Sequence, residues 1–252
     1  LLPPGAPKEL PGQIFDQILR ATEALGIELV GGHTEITIGL DRPIVVGAML
    51  GEAARDEIVT GEGIEPGDAV MLARGIAIEG TALLAREAKD ALLAAGLAPV
   101  DVRRAHDMLY TPGISVVAAA TALREVTKPR LLHDPTEGGL ATALQEMASA
   151  AGHRLRIDPA EVVVHPETTM VCEALGLDPL GLLASGALLA IVPQADVRRV
   201  TSIDERSMFR LIGTVEAGPG EVIMGTGDTP FPVFDRDELA RFFDEGAAGG
   251  EH

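Results

Sequence analysis

Apolar and polar residues follow two different periods along the chain, which predict helices in some stretches and strands in others. Residues 11–25 place Ile14 and Ile18 on one helical face, and Gly26 follows as a residue type that commonly ends a helix. Between residues 27 and 53, short β-branched runs are separated by Gly, Asp and Pro, which predicts several strands.

Beyond residue 53 an acidic, turn-rich stretch ends in Pro-Gly-Asp at 66–68, which predicts a domain junction. A strand over 69–73 leads through a glycine-bearing loop into a helix over 81–95, and Thr111-Pro112 has the residue types of a helix start. Further predicted elements are a strand ending before 133, a helix at 140–151, strands at 154–157 and 161–164, a helix at 166–175, a strand at 187–192, a short helix near 195–205, and strands near 209–216 and 220–224. Because strands interleave with helices but also occur in adjacent pairs, the predicted class is α+β with mixed sheets.

The composition narrows the classes of partner. Thirty-eight acidic residues against 20 basic ones give a formal charge of −18, which repels nucleic acid phosphates. No apolar run approaches the roughly 20 residues that a membrane-spanning helix needs. The single cysteine, Cys172, excludes a disulfide within the chain. We therefore expect a cytoplasmic protein that binds neither nucleic acid nor membrane, in which an anionic ligand needs a metal ion and backbone N–H groups.

The first candidate site is Gly31-Gly32-His33-Thr34-Glu35, where an apolar run meets two glycines and then polar side chains. Glycines allow close approach of a ligand, and in an extended chain His33 and Glu35 share a face. Glu35 has the oxygen ligands that Mg²⁺ prefers, whereas His33 suits a phosphate or a base. The alternative is a turn between strands with a solvated histidine, and spacing alone leaves both interpretations open.

The second candidate site is the loop 74–80, which leaves a strand and feeds a helix that begins near Thr81. The free N–H groups of a helix start favour a bound phosphate. The loop matches no established phosphate-binding motif, so a cap at Gly80-Thr81 is an equally open explanation.

The third candidate site is His-Asp-Pro-Thr-Glu-Gly-Gly at 133–139, again between a strand and a helix. Asp134 as helix cap, with Pro135 and Glu137 in the first turn, would be a purely structural explanation. Two glycines inside a first turn disfavour a helix, however, and close approach of a ligand accounts for them better.

Five sequence blocks follow one another in an order that resembles a known family. They are GGHTEIT, RPIVVGAMLGEA, PGDAVMLARGIAIEGTALLARE, HDPTEGGLATALQEMA and LGLDPLGLLASGALLAIVP. In order and spacing they are similar to the aminoimidazole ribonucleotide (AIR) synthetase superfamily, and within it to the HypE-type hydrogenase maturation branch. The resemblance covers residues 3–235. It implies a two-domain AIR synthetase-like α+β fold with mixed sheets, whose N-terminal strands form a barrel in a homodimer.

The resemblance also implies ligands and a reaction. It implies ATP with Mg²⁺, bound between the domains, and transfer of the γ-phosphoryl group to an amide, carbamoyl or similar oxygen. The acceptor would be a small or protein-borne carboxamide-like substrate, and a maturation partner protein would take part. Two other readings stay open: a non-catalytic nucleotide-binding scaffold of the same fold, and a selenophosphate-synthase-like enzyme suggested by the Gly-Gly-His sequence.

Carried over residue by residue, the resemblance predicts nucleotide contacts and two acidic groups. The predicted nucleotide contacts are Gly32, His33, Thr34, Glu79, Gly80, Thr81, Thr136, Gly138 and Gly139. Glu35 and Asp134 are the predicted catalytic residues and metal ligands. HypE-type sequences have an aspartate where this chain has His33, which moves the ligand role to Glu35. They also end in a cysteine, which the tail DEGAAGGEH does not contain.

The resemblance divides the chain into three parts. Residues 1–66 are predicted to be the C-terminal part of a nucleotide-binding and dimerisation domain, 67–236 the AIR synthetase-like C-terminal domain, and 237–252 a flexible tail. The chain starts without a methionine, and the family's N-terminal acidic strand and glycine-rich segment have no counterpart in it. The N-terminal domain is therefore expected to be incomplete.

Overall fold

The computed structural model describes residues 1–203 and 208–248, which form two compact units. The first unit is Leu1–Ile58 and the second is Val59–His252. The division thus lies upstream of the junction that Pro66-Gly67-Asp68 predicted.

The first unit contains helix α1 (Leu10–Leu25), which ends at Gly26 in the left-handed conformation, as its sequence predicted. A short 3₁₀-helix follows at Arg55–Glu57. The strands predicted between 27 and 53 do not form, and within this fully described stretch only Ile36 makes a β-bridge, with Leu2. A strand requires a neighbour for its backbone groups. Among the described residues, these runs are hydrogen-bonded across only to the short Leu1–Leu2 segment, which is too short to form a sheet with them. Their apolar side chains are accordingly exposed, for example Ile38 at 91% and Leu50 at 92%.

The second unit is built on a mixed sheet of seven strands in the order β2-β4-β1-β5-β3-β6-β7. The strands are β1 (Ala69–Ala73), β2 (Leu131–His133), β3 (Arg154–Ile157), β4 (Leu188–Val192), β5 (Phe209–Glu216), β6 (Val222–Met224) and β7 (Thr229–Pro230). Only β3 and β6 pair in parallel, and the other neighbours are antiparallel. The mixed sheet confirms the predicted class. The strand predicted at 161–164 is reduced to a single bridge between Val164 and Ile76.

Helices cover both faces of this sheet. They are α2 (Ile78–Glu87), α3 (Lys89–Ala94), α4 (Pro99–Asp107), α5 (Val117–Val126), α6 (Gly139–Ala151), α7 (Pro166–Leu175), α8 (Val197–Thr201) and α9 (Glu238–Ala248), with 3₁₀ turns at Pro159–Glu161 and Gln194–Asp196. The helix predicted over 81–95 is divided at Ala88 into α2 and α3. The helix predicted near 195–205 is α8, and positions 204 and 205 lie outside the described residues. Among the described helices, none combines the length and the apolar character needed to cross a bilayer.

Thr111-Pro112 does not start a helix, so that prediction is wrong. The two residues lie in a π-helical turn at Leu109–Gly113, Thr111 has extended backbone angles, and α5 begins only at Val117. The turn has a partner distant in sequence, because the Arg74 guanidinium donates hydrogen bonds to the carbonyl oxygens of Pro112, Gly113 and Ser115. A long-range contact thus replaces the local cap that the sequence suggested.

The core of the second unit lies on both sides of the central strands. Val70 and Leu72 of β1 face α2, α4, α6 and α7, whereas Met71 faces α5 and α8. All five residues of β1 and of β4 are buried, as expected of strands covered on both faces. The second of these faces is completed by Leu123, Val200 and Phe209.

The segment predicted as a flexible tail, 237–252, contains helix α9 over Glu238–Ala248. Leu239 and Phe242 of this helix pack against the larger core cluster. Glu238 is buried, and its carboxylate accepts a hydrogen bond from the Asp178 N–H at 2.9 Å. Residues 249–252 lie outside the described part of the chain.

Candidate functional site

Two of the three predicted sites lie at the same edge of the sheet. β1 ends at Ala73, which is paired with Leu188 at the start of β4. β2 ends at His133, which is paired with Leu189. Because both strands run antiparallel to β4, the loops that follow them emerge together. The topology therefore brings the predicted residues of loops 74–81 and 133–139 to one edge.

The segment 180–185 fills the space between these two loops. The Gly80 N–H donates to the Leu183 carbonyl at 3.0 Å, and the Glu79 N–H donates to the Ser185 carbonyl at 3.3 Å. From the other side, the Ala184 N–H donates to the Thr136 carbonyl at 3.2 Å. A phosphate could therefore use the Glu79 and Gly80 N–H groups only if segment 180–185 moved away.

Close packing against segment 180–185 accounts for one glycine in each loop, Gly80 and Gly139. A Cβ on Gly80 would lie 2.6 Å from Cγ of Leu182, and one on Gly139 would lie 2.6 Å from the Leu180 carbonyl oxygen. Gly138 and Gly139 also have positive φ angles, 76° and 64°. The sequence pointed to the approach of a ligand at these glycines, whereas the structure places the chain itself there. Their nucleotide contacts stay a prediction.

Thr81 lies in the interior of the second unit, where its hydroxyl group is hydrogen-bonded. Its side chain is fully buried, and its hydroxyl oxygen lies 2.6 Å from the Ala77 carbonyl oxygen and 2.8 Å from the Thr168 hydroxyl. These contacts join α2 to α7. Neither Gly80 nor Thr81 caps the helix, because α2 begins at Ile78.

Asp134 is exposed at the start of the third predicted site and does not cap the helix that follows. Helix α6 begins at Gly139, and the N–H of Gly138 before it donates to Oδ2 of Asp237 at 2.7 Å. The structural explanation offered by the sequence is thus wrong, and the Asp134 carboxylate is left on the surface. Thr136 is exposed beside it. Hydrogen bonds from the Glu137 N–H and the Thr136 hydroxyl lower the pKa of the Glu137 carboxyl.

Asp237 is the residue that sequence reasoning missed at this edge. It lies 99 positions from Gly138, within the stretch predicted as a tail, and no local motif connects the two. The only available signal was its position before an amphipathic stretch, which is typical of a helix cap.

The first predicted site lies in the first unit and forms a polar cluster. Nε2 of His33 is 3.3 Å from Oε2 of Glu35, and the Thr37 hydroxyl donates to Oε1 of Glu35 at 3.1 Å. The contact confirms that His33 and Glu35 share a face. These two hydrogen bonds, with His33 contributing most, lower the pKa of the Glu35 carboxyl below its ordinary value.

Gly32 and Thr34 border a small cavity of the same unit. The cavity has a volume of about 150 Å³, and its apolar walls include Leu2, Phe15 and Ile18. A Cβ on Gly31 or Gly32 would have no atom within 4 Å, and neither residue has a positive φ. In contrast to Gly80 and Gly139, these two glycines are thus not required by packing within the chain.

The described residues can hold Mg²⁺ only in a limited way. In residues 1–203 and 208–248 no three His, Cys, Asp or Glu side chains gather as a metal-binding group. Mg²⁺ in nucleotide sites is commonly held by one or two carboxylates, the phosphates and water, and ionised Glu35 and exposed Asp134 suit that arrangement. They belong to different units, so their meeting in one cleft stays a prediction.

A larger hollow of about 710 Å³ lies elsewhere in the second unit, along β5 from Phe209 to Thr214. Its walls include Asp158, Glu161 and Thr201, and none of the predicted site residues borders it.

Comparison with protein families matches residues 65–225 to the model described as AIR synthase related protein, C-terminal domain. The carbamoyl dehydratase HypE of Cupriavidus necator is 31% identical over 73% of this chain and 50% of its own length. A putative hydrogenase expression/formation protein of Methanocaldococcus jannaschii is 27% identical over 81% of this chain and 57% of its own. The chain thus spans about half the length of the curated relatives it matches.

Solved structures have the same fold. Escherichia coli HypE superposes with a TM-score of 0.72 at 20% identity, covering 96% of this chain and 73% of that one. A HypE in complex with ATP gives a TM-score of 0.64 at 22% identity, covering 96% and 72%. A HypE–HypF complex gives 0.64 at 22% identity, covering 93% and 75%. At these identities the likeness establishes the fold.

Proposed function

The chain belongs to the AIR synthase related family, and from that membership we propose that it is an ATP- and Mg²⁺-dependent phosphoryl-transfer enzyme. Its acceptor is the oxygen of an amide, a carbamoyl group or a similar carboxamide. The observation that carries the proposal is the 31% identity with a carbamoyl dehydratase over 73% of the chain, because likeness of fold alone does not select a chemistry. The ATP complex of a protein with the same fold supports the choice of nucleotide.

The proposed first step breaks the bond between the γ-phosphorus of ATP and its bridging oxygen, and forms a bond from that phosphorus to the acceptor oxygen. Such a reaction requires positioning and charge neutralisation rather than a nucleophilic side chain. When bound, Mg²⁺ neutralises phosphate charge. Glu35 and Asp134 are the proposed ligands, and the hydrogen bonds from His33 and Thr37 orient the Glu35 carboxylate.

The remaining predicted residues have proposed roles that suit their positions. The unfilled space beside Gly31 and Gly32 allows a phosphate or a base to approach the backbone closely. The exposed Thr136 lies next to Asp134, and its hydroxyl would exchange the Glu137 carboxylate for a phosphate oxygen as its hydrogen-bond acceptor. Cys172 is buried in α7, which argues against this thiol as the carrier of a carbamoyl group.

We also propose a homodimer and a maturation partner protein. The exposed apolar side chains of the first unit, such as Val30 at 87% and Leu50 at 92%, would be covered by the matching runs of a second copy. The solved HypE–HypF complex of a protein with the same fold supports a partner protein. Sedimentation velocity tests the dimer, and a monomer at micromolar concentration would contradict it.

Calorimetric titration with ATP and Mg²⁺, followed by phosphate release with and without carboxamides, tests the proposed reaction. We expect Glu35→Gln and Asp134→Asn each to weaken ATP–Mg²⁺ binding by about 10- to 100-fold, because each removes a charged ligand group. Asp41→Asn is the control, since Asp41 is an exposed acid of the first unit. All three variants are expected to keep the melting temperature of the parent protein.

The outcomes separate the enzyme from the second candidate, a nucleotide-binding scaffold without turnover. Binding of ATP without phosphate release under any acceptor favours the scaffold. Absence of binding contradicts both. A large fall in melting temperature for Glu35→Gln or Asp134→Asn would assign these residues to the fold instead of the site.

A further inference from the structure

Asp237 connects the starts of two helices that are far apart in the sequence. Its Oδ1 accepts a hydrogen bond from the Leu239 N–H at 2.7 Å, in the first turn of α9. Its Oδ2 accepts one from the Gly138 N–H at 2.7 Å, directly before α6. One carboxylate therefore satisfies an otherwise free N–H group at each of two helix starts.

The surroundings of this carboxylate are mostly backbone. Asp237 is half-buried, and burial raises the pKa of its carboxyl, while hydrogen bonds from the N–H groups of Gly138, Leu239 and Leu183 act in the opposite direction. The negative charge of Glu137 adds a small upward contribution to that pKa. With its oxygens engaged by N–H groups, the carboxylate is a poor candidate for a direct ligand of substrate or metal.

The neighbours of Asp237 in the sequence also hold the loop 134–139 and the segment that packs against it. We call Phe234, Asp237 and Glu238 the clasp. The Phe234 ring packs so closely on Gly181 that a Cβ there would lie 2.6 Å from the ring, and the Glu238 N–H donates to the Gly181 carbonyl at 3.0 Å. Segment 180–182 in turn packs closely against Gly139. The clasp thus holds the loop 134–139 directly, through Asp237, and indirectly, through Gly181.

We propose that Asp237 is a positioning residue that fixes the turn 134–139 and so presents Asp134 and Thr136 to the substrate. The part of this inference that concerns catalysis rests on the proposed phosphoryl transfer. The part that concerns order in the loop rests only on the contacts of the clasp. Asp237 acts through the Gly138 backbone and does not itself touch the reacting groups.

Four variants separate the positioning role of Asp237 from a general contribution to stability. Asp237→Ala removes every hydrogen bond that the carboxylate accepts, whereas Asp237→Asn keeps one acceptor oxygen of the two and serves if the alanine variant does not fold. Leu239→Ala removes apolar packing of α9 on the core but keeps the backbone N–H that donates to Asp237. Asp235→Asn is the charge control, because Asp235 is an exposed acid two positions earlier.

Hydrogen–deuterium exchange of the full chain is the first measurement, because it does not depend on activity. We expect the amides of residues 136–142 to exchange at least 10-fold faster in Asp237→Ala and by a smaller factor in Asp237→Asn. Leu239→Ala is expected to lower the melting temperature without this change, and Asp235→Asn to change neither. Unaltered exchange at 136–142 in both Asp237 variants would overturn the inference.

The second measurement is phosphate release at varied ATP–Mg²⁺, far below the melting temperatures. We expect Asp237→Asn to raise KM for ATP–Mg²⁺ at least about 5-fold, because it displaces Asp134 and Thr136, and Leu239→Ala to leave kcat and KM within twofold. Faster exchange with an unchanged kcat and an unchanged KM would overturn the catalytic part of the inference. If the parent chain neither binds nor hydrolyses ATP, the proposed function fails, and the exchange measurement alone still decides whether Asp237 orders the loop.

Discussion

Cys172 is the one cysteine of the chain, and its environment makes its thiol inert. Burial in α7, with smaller contributions from the negative charges of Asp178 and Glu238, raises the pKa of the thiol to about 12. Only the thiolate reacts with alkylating reagents, so the native thiol stays protonated and unreactive at pH 8. We expect iodoacetamide to modify the native protein at least about 10-fold more slowly than the protein unfolded in urea, whose thiol has a pKa of about 8.5.

Because the chain has a single thiol, the mass increase of the intact protein measures this reaction without ambiguity. Comparable rates of modification in the native and the unfolded protein would mean that Cys172 is accessible. The thiol would then again be a candidate carrier of substrate. The raised thiol pKa also determines the direction in which pH changes the stability of the folded state. A thiol pKa that is raised on folding favours the folded state below the ordinary pKa, and that contribution is lost as pH rises toward 12.

Some single residues have roles that their local sequence cannot reveal. Arg74 has a positive φ of 71°, and its buried guanidinium binds three carbonyl oxygens of a turn about 40 positions away. Asp134 looked like a helix cap because the local residue types were correct, yet Asp237 occupies that role. In each case the partner is brought near by the sheet topology, which local spacing does not encode.

The two ends of α6 provide a matched test of packing at the level of an element. Gly139 and Gly152 both have a φ of 64°, but a Cβ on Gly139 would lie 2.6 Å from the Leu180 carbonyl oxygen, whereas a Cβ on Gly152 would meet nothing within 4 Å. Gly152→Ala should cost only the conformational penalty, about 1–2 kcal/mol. Gly139→Ala should add overpacking of about 1–3 kcal/mol, because a backbone carbonyl cannot rotate away.

Urea unfolding of the two variants measures the difference in the free energy of unfolding directly. Both substitutions add the same methyl group at the same φ, so their difference isolates the contact with segment 180–182. Equal losses would mean that this segment yields easily, and would weaken the case that packing explains the glycine at 139.

Helices and strands were predictable where the residues within the element are sufficient to determine its structure. The apolar periods of α1, β1 and β4 matched the structure closely, because each lies in one continuous pattern. The strands predicted between 27 and 53 failed, because β-branched residues favour extended backbone but cannot supply a neighbouring strand. α9 was missed because the glycines and acids after residue 243 suggested a frayed tail, whereas Leu239 and Phe242 anchor the helix on the core.

At the scale of the whole molecule, hydrophobic burial is distributed very unevenly between the two units. The buried members of all three apolar clusters found in the described residues lie at Ala69 or later. Within residues 1–58, all of which the structure describes, Leu2 is the only buried apolar side chain, and α1 buries none of its residues. Since apolar burial is the main favourable term in folding, nearly all of the stability belongs to the second unit.

This distribution predicts that residues 59–252 fold without the first unit. We expect the fragment 59–252 to unfold cooperatively, with a melting temperature within roughly 5 °C of the full chain, because the loss of the first unit removes little buried apolar surface. The matching fragment 1–58 should not show a cooperative transition as a monomer, since its apolar side chains are exposed. Differential scanning calorimetry of the two fragments and the full chain makes the comparison. A fragment 59–252 that is unfolded, or that melts far below the full chain, would mean that the first unit supplies stability that its exposed side chains do not account for.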